Sequence, residues 1–202
     1  MEKYYLYIVL TRVNTVISRL IRMFKKDEFT HAAISLDKKL EYMYSFGRKY
    51  TRNPFIGRFV KEDINSGAYK FGKILYGAII EIEVTKEQYD LVKAHLDYFI
   101  ANSKLYKYNY RGLLYNLLNR AAYHEHRFLC SEFVYHIVKE SGIIDYGKPR
   151  NLVRPQDLLN INGNIIFRGN LREYSVSDDI KEKDRKNIPI VFTEFTRTGI
   201  SQ

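Results

Sequence analysis

Cys130 is the only cysteine in the chain, and its surroundings give it a chemical meaning. The run Arg127-Phe128-Leu129-Cys130-Ser131-Glu132-Phe133-Val134 leads in with apolar residues. A helical pattern then starts at once, with Phe133, Val134, Ile137 and Val138 recurring at spacings of three and four. Cys130 therefore falls at or beside a helix N-terminus, where free N–H groups and the positive end of the dipole favour a thiolate. The same N–H groups, above all those of Cys130 and Ser131, are placed to hold an oxyanion. The alternative is a small buried hydrophobe in a first helical turn, with Ser131 as an ordinary capping residue.

A thiolate that acts as a nucleophile needs a base. Five histidines are available. His136 sits on the same helix as Cys130 but turned well round from it. His95 lies on a helix face between polar neighbours, and His124 and His126 occupy a charged approach segment. His31 differs, because it opens the apolar run His31-Ala32-Ala33-Ile34-Ser35-Leu36, and its small neighbours leave room for a substrate or a packed partner. The set His124, His126 and Cys130 would need one tight turn to hold zinc, and no second Cys/His pair follows. No metal and no cofactor is expected.

The elements that must carry these residues can be read from pattern. Residues 4–10 form a buried strand. Asn14 caps a basic amphipathic helix near 15–25, with Val16, Ile17, Leu20, Ile21 and Phe24 inward. The strand at His31 turns at 37–39 and returns over Leu40 to Phe46. Residues 49–72, with Pro54, Gly57, Gly67 and Gly72, read as a long loop. A strand over Gly77 to Val84 runs into a helix capped by Thr85 with Gln88, ending near Asn102 and burying Tyr89, Val92, Leu96 and Phe99. Helices follow near 110–121 and 131–141, then a short one from Pro155 and a strand over Asn164 to Phe167. This order predicts an α+β fold, an antiparallel sheet packed against helices that include the Cys-bearing one. Residues 1–174 form the domain. Residues 175–202 read as a charged segment followed by a strand over Ile190 to Phe195.

The His31 run and the segment Phe128-Leu129-Cys130-Ser131-Glu132-Phe133-Val134 together resemble the circularly permuted NlpC-type papain-like cysteine hydrolases. In these the histidine strand precedes the cysteine helix, and the likeness covers roughly residues 28–142. The lecithin retinol acyltransferase group shares that order. The resemblance implies a papain-like fold, Cys130 as nucleophile, His31 as general base, and a polar third residue on the next strand to orient the imidazole. Here that strand offers no carboxylate or amide. A three-residue turn sets Ser45 opposite His31, whereas a two-residue turn sets Phe46 there and Tyr44 diagonally on its face. Ser45 comes first and Tyr44 second. Tyr106-Lys107-Tyr108-Asn109-Tyr110 looks like the family's upstream tyrosine motif, so Tyr108 or Tyr106 can lend a hydroxyl to the oxyanion, or else pack a helix entry.

The implied activity is that of an amidase or peptidase working through a thioester, on a peptide or peptidoglycan fragment. Esterase or acyltransferase action on an acyl-lipid, and a non-catalytic binding module, are the alternatives. With 46% hydrophobic and 28% charged residues the chain can bury a core. Its formal net charge of +10 allows weak binding to an anionic surface. The basic residues are spread along the chain without a nucleic-acid motif, so no specific nucleic-acid partner is expected. No leader and no membrane span is read, which makes the cytoplasm the default location. The oligomeric state is left open.

Overall fold

A computed structural model describes residues 2–13, 26–50, 53–64, 69 and 73–175. The helix expected near 15–25 and the strand expected over Ile190 to Phe195 lie outside the described residues. The elements are β1 (Tyr4–Thr11), β2 (His31–Ser35), β3 (Met43–Tyr50), β4 (Asn53–Glu62), β5 (Tyr76–Val84), α1 (Lys86–Ala101), β6 (Lys107–Tyr108), α2 (Tyr110–Leu117), β7 (Arg127–Phe128), α3 (Cys130–Glu140) and β8 (Asn164–Asn170). Short 3-10 helices at Arg150–Leu152, Pro155–Asn160 and Leu171–Glu173 complete them.

Among the described residues the main sheet has the order β4-β3-β2-β1-β5-β8, and every neighbouring pair is antiparallel. The protein is thus α+β, an antiparallel sheet packed against helices, as the element order implies. Strand alternation divides the apolar residues between two clusters. Leu6, Ile8, Leu10, Ala32, Ile34, Tyr44 and Phe46 join α1 and α3 in the larger one. Tyr7, Val9, Ala33, Met43 and Ile79 join Tyr69, Leu75 and Leu171 in the smaller one. The centre of the larger cluster is aromatic, with Phe133 of α3 lying 5.0 Å from Phe99 of α1 and 5.3 Å from Phe46 of β3 between ring centroids. Such contacts add directional packing to area burial and fix α3 over the sheet.

Helix α1 begins where local chemistry says it should. Thr85 Oγ1 accepts the Gln88 N–H at 3.2 Å, and Gln88 Oε1 accepts the Thr85 N–H at 3.0 Å. Its inward residues Tyr89, Val92, Leu96 and Phe99 are buried as read from the pattern.

Two expectations are corrected. Residues 49–72 are not one long loop: β4 occupies Asn53–Glu62 and pairs with β3 along its length. Pro54 is tolerated because β4 is an edge strand of the sheet, where a missing N–H donor costs little. Gly57 lies within the strand and leaves room for Tyr108, since a Cβ there would stand 2.5 Å from the Tyr108 Cβ and 2.7 Å from its ring Cγ. The turn before β3 is also longer than three residues. The Asp37 carboxylate organises it, accepting the N–H groups of Glu41 at 3.0 Å and Tyr42 at 2.8 Å, with Leu40 in left-handed conformation at φ 62°. Strand β3 therefore starts at Met43, and the pairs are Ser35 with Met43 and Ile34 with Tyr44. Neither expected register is present.

Candidate active site

The observed register differs by two residues from the one that set Ser45 opposite His31. A two-residue slip preserves which face each side chain takes. Ser45 therefore stays on the face of His31, diagonal to it, and its hydroxyl oxygen lies 3.2 Å from His31 Nε2. The Ser45 O–H donates to the Ala32 carbonyl at 2.9 Å, which leaves its lone pairs toward the ring. Tyr44 takes the other face of β3, where its ring stacks on Phe59 at 5.7 Å inside the larger apolar cluster. The structure does not bring it to His31.

The carboxylate missing from β3 arrives from β4. His31 Nε2 lies 3.0 Å from Glu62 Oε1 and 3.1 Å from Glu62 Oε2, so its N–H is shared between the two oxygens. Both side chains are about nine-tenths buried. Tyr69 donates its hydroxyl to Glu62 Oε2 at 2.6 Å, and its ring stands edge-on to the imidazole at 6.1 Å. Burial and the adjacent carboxylate hold the Tyr69 phenol well above its ordinary pKa, so it remains a donor. Gly47 keeps the space open, since a Cβ there would stand 2.8 Å from Glu62 Oε1 and 3.9 Å from His31 Cε1.

Sequence reasoning missed Glu62 because it lies inside the stretch read as loop. No strict apolar–polar alternation marks the strand, since Val60 shares a face with Arg58 and Glu62 while Phe59 shares the other with Lys61.

Cys130 is the first residue of α3, behind the N-cap Leu129. The first helical bond runs from the Phe133 N–H to the Leu129 carbonyl at 2.9 Å. The N–H groups of Cys130 and Ser131 therefore have no place in the helical ladder. Cys130 is buried, and its side chain is among the groups that favour the charged form of His31. Glu62 engages Nε2, which leaves Nδ1 as the ring nitrogen for proton exchange with a thiol. The carboxylate on Nε2 fixes that nitrogen as the donor, and the protonation assignment follows from this partner. Burial disfavours the charged ring, but Glu62 and Cys130 together outweigh it and raise the His31 pKa well above 6.5.

The start of α3 is held by a buried polar set. Leu129 has no capping oxygen, so Glu132 reaches back and accepts the Leu129 N–H at 3.0 Å. Glu132 also accepts from Asn109 Nδ2 at 3.1 Å and from Arg150 Nε at 2.9 Å. Burial still pushes the Glu132 carboxyl up against these three donors. The Ser131 hydroxyl is committed to the Val153 carbonyl at 2.7 Å, so only its backbone N–H can face a ligand. Tyr108 packs on Gly57 and 4.8 Å from the Tyr110 ring. Tyr106 is buried among Phe46, Phe99 and Phe128.

His95, His126 and His136 pack among other aromatic rings. His136 packs on Phe128 at 5.3 Å and faces His95 at 6.2 Å. His126 stacks on Tyr106 at 5.6 Å. Among the described residues no group of three or more His, Cys, Asp or Glu side chains is placed to hold a metal ion. Among them also, no helix is long and apolar enough to cross a membrane. In comparisons with known proteins, the chain matches no family model and no curated protein.

Proposed function

We propose that the protein is a cysteine hydrolase of the amidase or peptidase type, on a circularly permuted papain-like fold, with Cys130, His31 and Glu62 as its catalytic set. The observation that carries this reading is the imidazole of His31, held by the Glu62 carboxylate at 3.0 Å and electrostatically coupled to Cys130 at the start of α3. A histidine that only packed a core would need neither partner. Glu62 supplies the orienting group that the strand after His31 lacks, which weakens the case for a non-catalytic binding module.

In the reaction, the proton of the thiolate–imidazolium pair rests on Nδ1 of His31 and the Cys130 thiolate attacks an amide carbonyl carbon. A C–S bond forms, and negative charge collects on the carbonyl oxygen near the N–H groups of Cys130 and Ser131. The C–N bond then breaks and the amine departs with the proton from His31. A water, deprotonated by His31, attacks the thioester. The C–S bond breaks, the acid leaves and the thiolate–imidazolium pair is restored. Glu62 keeps Nε2 protonated throughout, so Nδ1 remains the working nitrogen. Peptide or peptidoglycan-type amides are the proposed substrates.

The test is intact-protein mass spectrometry during turnover of a panel of peptide amides and activated acyl esters. The expected result is an acyl adduct on Cys130 that decays in water, absent from Cys130→Ala. Transfer of the acyl group to an added alcohol or lipid in place of water would assign an acyltransferase. No adduct with any acyl donor would contradict the hydrolase reading.

A further inference from the structure

His31 and Cys130 are far apart in sequence and sit on different elements. Packing of α3 on the sheet brings them near each other, and a segment that touches the start of both elements can set their final separation. The strand holding His31 does not begin until His31 itself, and the residues leading into it, Asp27 to Phe29, belong to no regular element. Their N–H groups lie outside the sheet ladder, which the backbone joins at the Thr30 N–H to Thr11 carbonyl bond of 3.0 Å.

Gln156 fills this gap. Its Oε1 accepts the N–H of Glu28 at 3.0 Å and the N–H of Phe29 at 3.3 Å. One oxygen with two lone pairs thus fixes the direction of two successive peptide units before the catalytic imidazole. Beside it, Arg154 Nη1 donates to Asp27 Oδ1 at 2.8 Å. Arg154 is itself held by Asp157, which accepts its backbone N–H at 2.9 Å and its Nη2 at 3.3 Å. The same short stretch grips the other reacting element. The Val153 carbonyl accepts the Ser131 hydroxyl at 2.7 Å, and Arg150 Nε reaches Glu132 at 2.9 Å. Both contacts lie in the first turn of α3.

We propose that residues 150–157 form a clasp that sets the distance between Cys130 and His31, with Gln156 as its principal positioning residue. The inference rests on the reading of Cys130 and His31 as the reacting pair. The segment grips the lead-in to one and the helix start of the other. Gln156 touches neither substrate nor sulfur and acts only through the backbone of Glu28 and Phe29.

The experiment is alkylation of Cys130 by iodoacetamide in the full chain, read as the ratio of the rate at about pH 6 to the rate at about pH 10, where a thiol ionises unaided. Four variants are compared with the wild type: Gln156→Met, which keeps the length and removes the acceptor, Gln156→Glu, which keeps the acceptor, Arg154→Met and His31→Gln. Thermal melts run alongside. The expected result is a ratio lowered by about tenfold or more in Gln156→Met, from displacement of the imidazole. Gln156→Glu should restore most of it, and Arg154→Met should show a smaller fall.

A merely structural role would lower the melting temperature and leave the ratio unchanged. A folded Gln156→Met with the wild-type ratio overturns the proposal. So does a Gln156→Glu as impaired as Gln156→Met. Should Gln156→Met fail to fold, a wild-type ratio in Arg154→Met overturns it equally. A wild type whose ratio equals that of His31→Gln removes the reacting pair itself, and then the hydrolase reading falls along with the clasp.

Discussion

The charge relationship among Glu62, His31 and Cys130 makes separable demands on single residues. Glu62→Gln keeps an acceptor for Nε2 but removes the negative charge that favours the imidazolium. Hydrolysis should fall by about a hundredfold or more, with the melting temperature little changed; a variant of unaltered rate would reduce Glu62 to a packing group. Gly47→Ala should act on the same carboxylate from outside. Its Cβ would stand 2.8 Å from Glu62 Oε1, closer than two such atoms settle, so the carboxylate must move off Nε2. The expected outcome is reduced turnover with a stability change of no more than about 1 kcal/mol. Full activity in Gly47→Ala would mean that the carboxylate can shift without consequence.

At the scale of elements, the start of α3 depends on Glu132 and its three donors. Among the described residues, Arg150 is the charged partner of a carboxylate that is fully buried. Arg150→Met should cost about 3–5 kcal/mol, because a buried charge then loses its counter-ion. Replacing both, as Glu132→Gln with Arg150→Met, should recover part of that loss in chemical denaturation. A near-neutral Arg150→Met would show that Leu129 and Asn109 suffice.

What was legible at this scale followed the range of the interactions. The α1 start was readable because Thr85 and Gln88 close a cap within four residues. The placement of Cys130 at a helix start was readable from the spacing of Phe133, Val134, Ile137 and Val138. Ser45 reached the face of His31 because strand parity survives a two-residue error. Glu62 was hidden because only the pairing of β4 with β3 brings it to His31, and no local pattern announces that pairing through Pro54 and Gly57. Gln156 was hidden for the same reason, since its partners at Glu28 and Phe29 come from the other end of the domain.

For the whole molecule, two histidines set opposite limits on stability against pH. His136 is held down to about 4 by burial first, then by Arg150 and His95. The unfolded chain binds a proton there that the folded chain does not, so stability is lost as pH falls from about 6.5 toward 4, by about 3 kcal/mol at full effect. His31 is raised well above 6.5, so the folded chain holds a proton that the unfolded chain releases. Its contribution is complete below about pH 6.5 and is lost as pH rises through the folded value. The wild type should therefore show a contribution from these two groups that is greatest near pH 6.5. Denaturant titrations across pH should flatten on the acid side in His136→Gln and on the alkaline side in His31→Gln. If either variant keeps the wild-type slope on its own side, the corresponding histidine does not carry the charge state assigned to it.

The most direct test of the central claim is the alkylation rate of Cys130 at about pH 6 in the wild type and in His31→Gln. An imidazolium coupled to the sulfur predicts fast labelling in the wild type, a large fall in His31→Gln, and convergence of the two under strongly alkaline conditions. Equal rates at the lower pH, or labelling of the wild type only after denaturation, would contradict it.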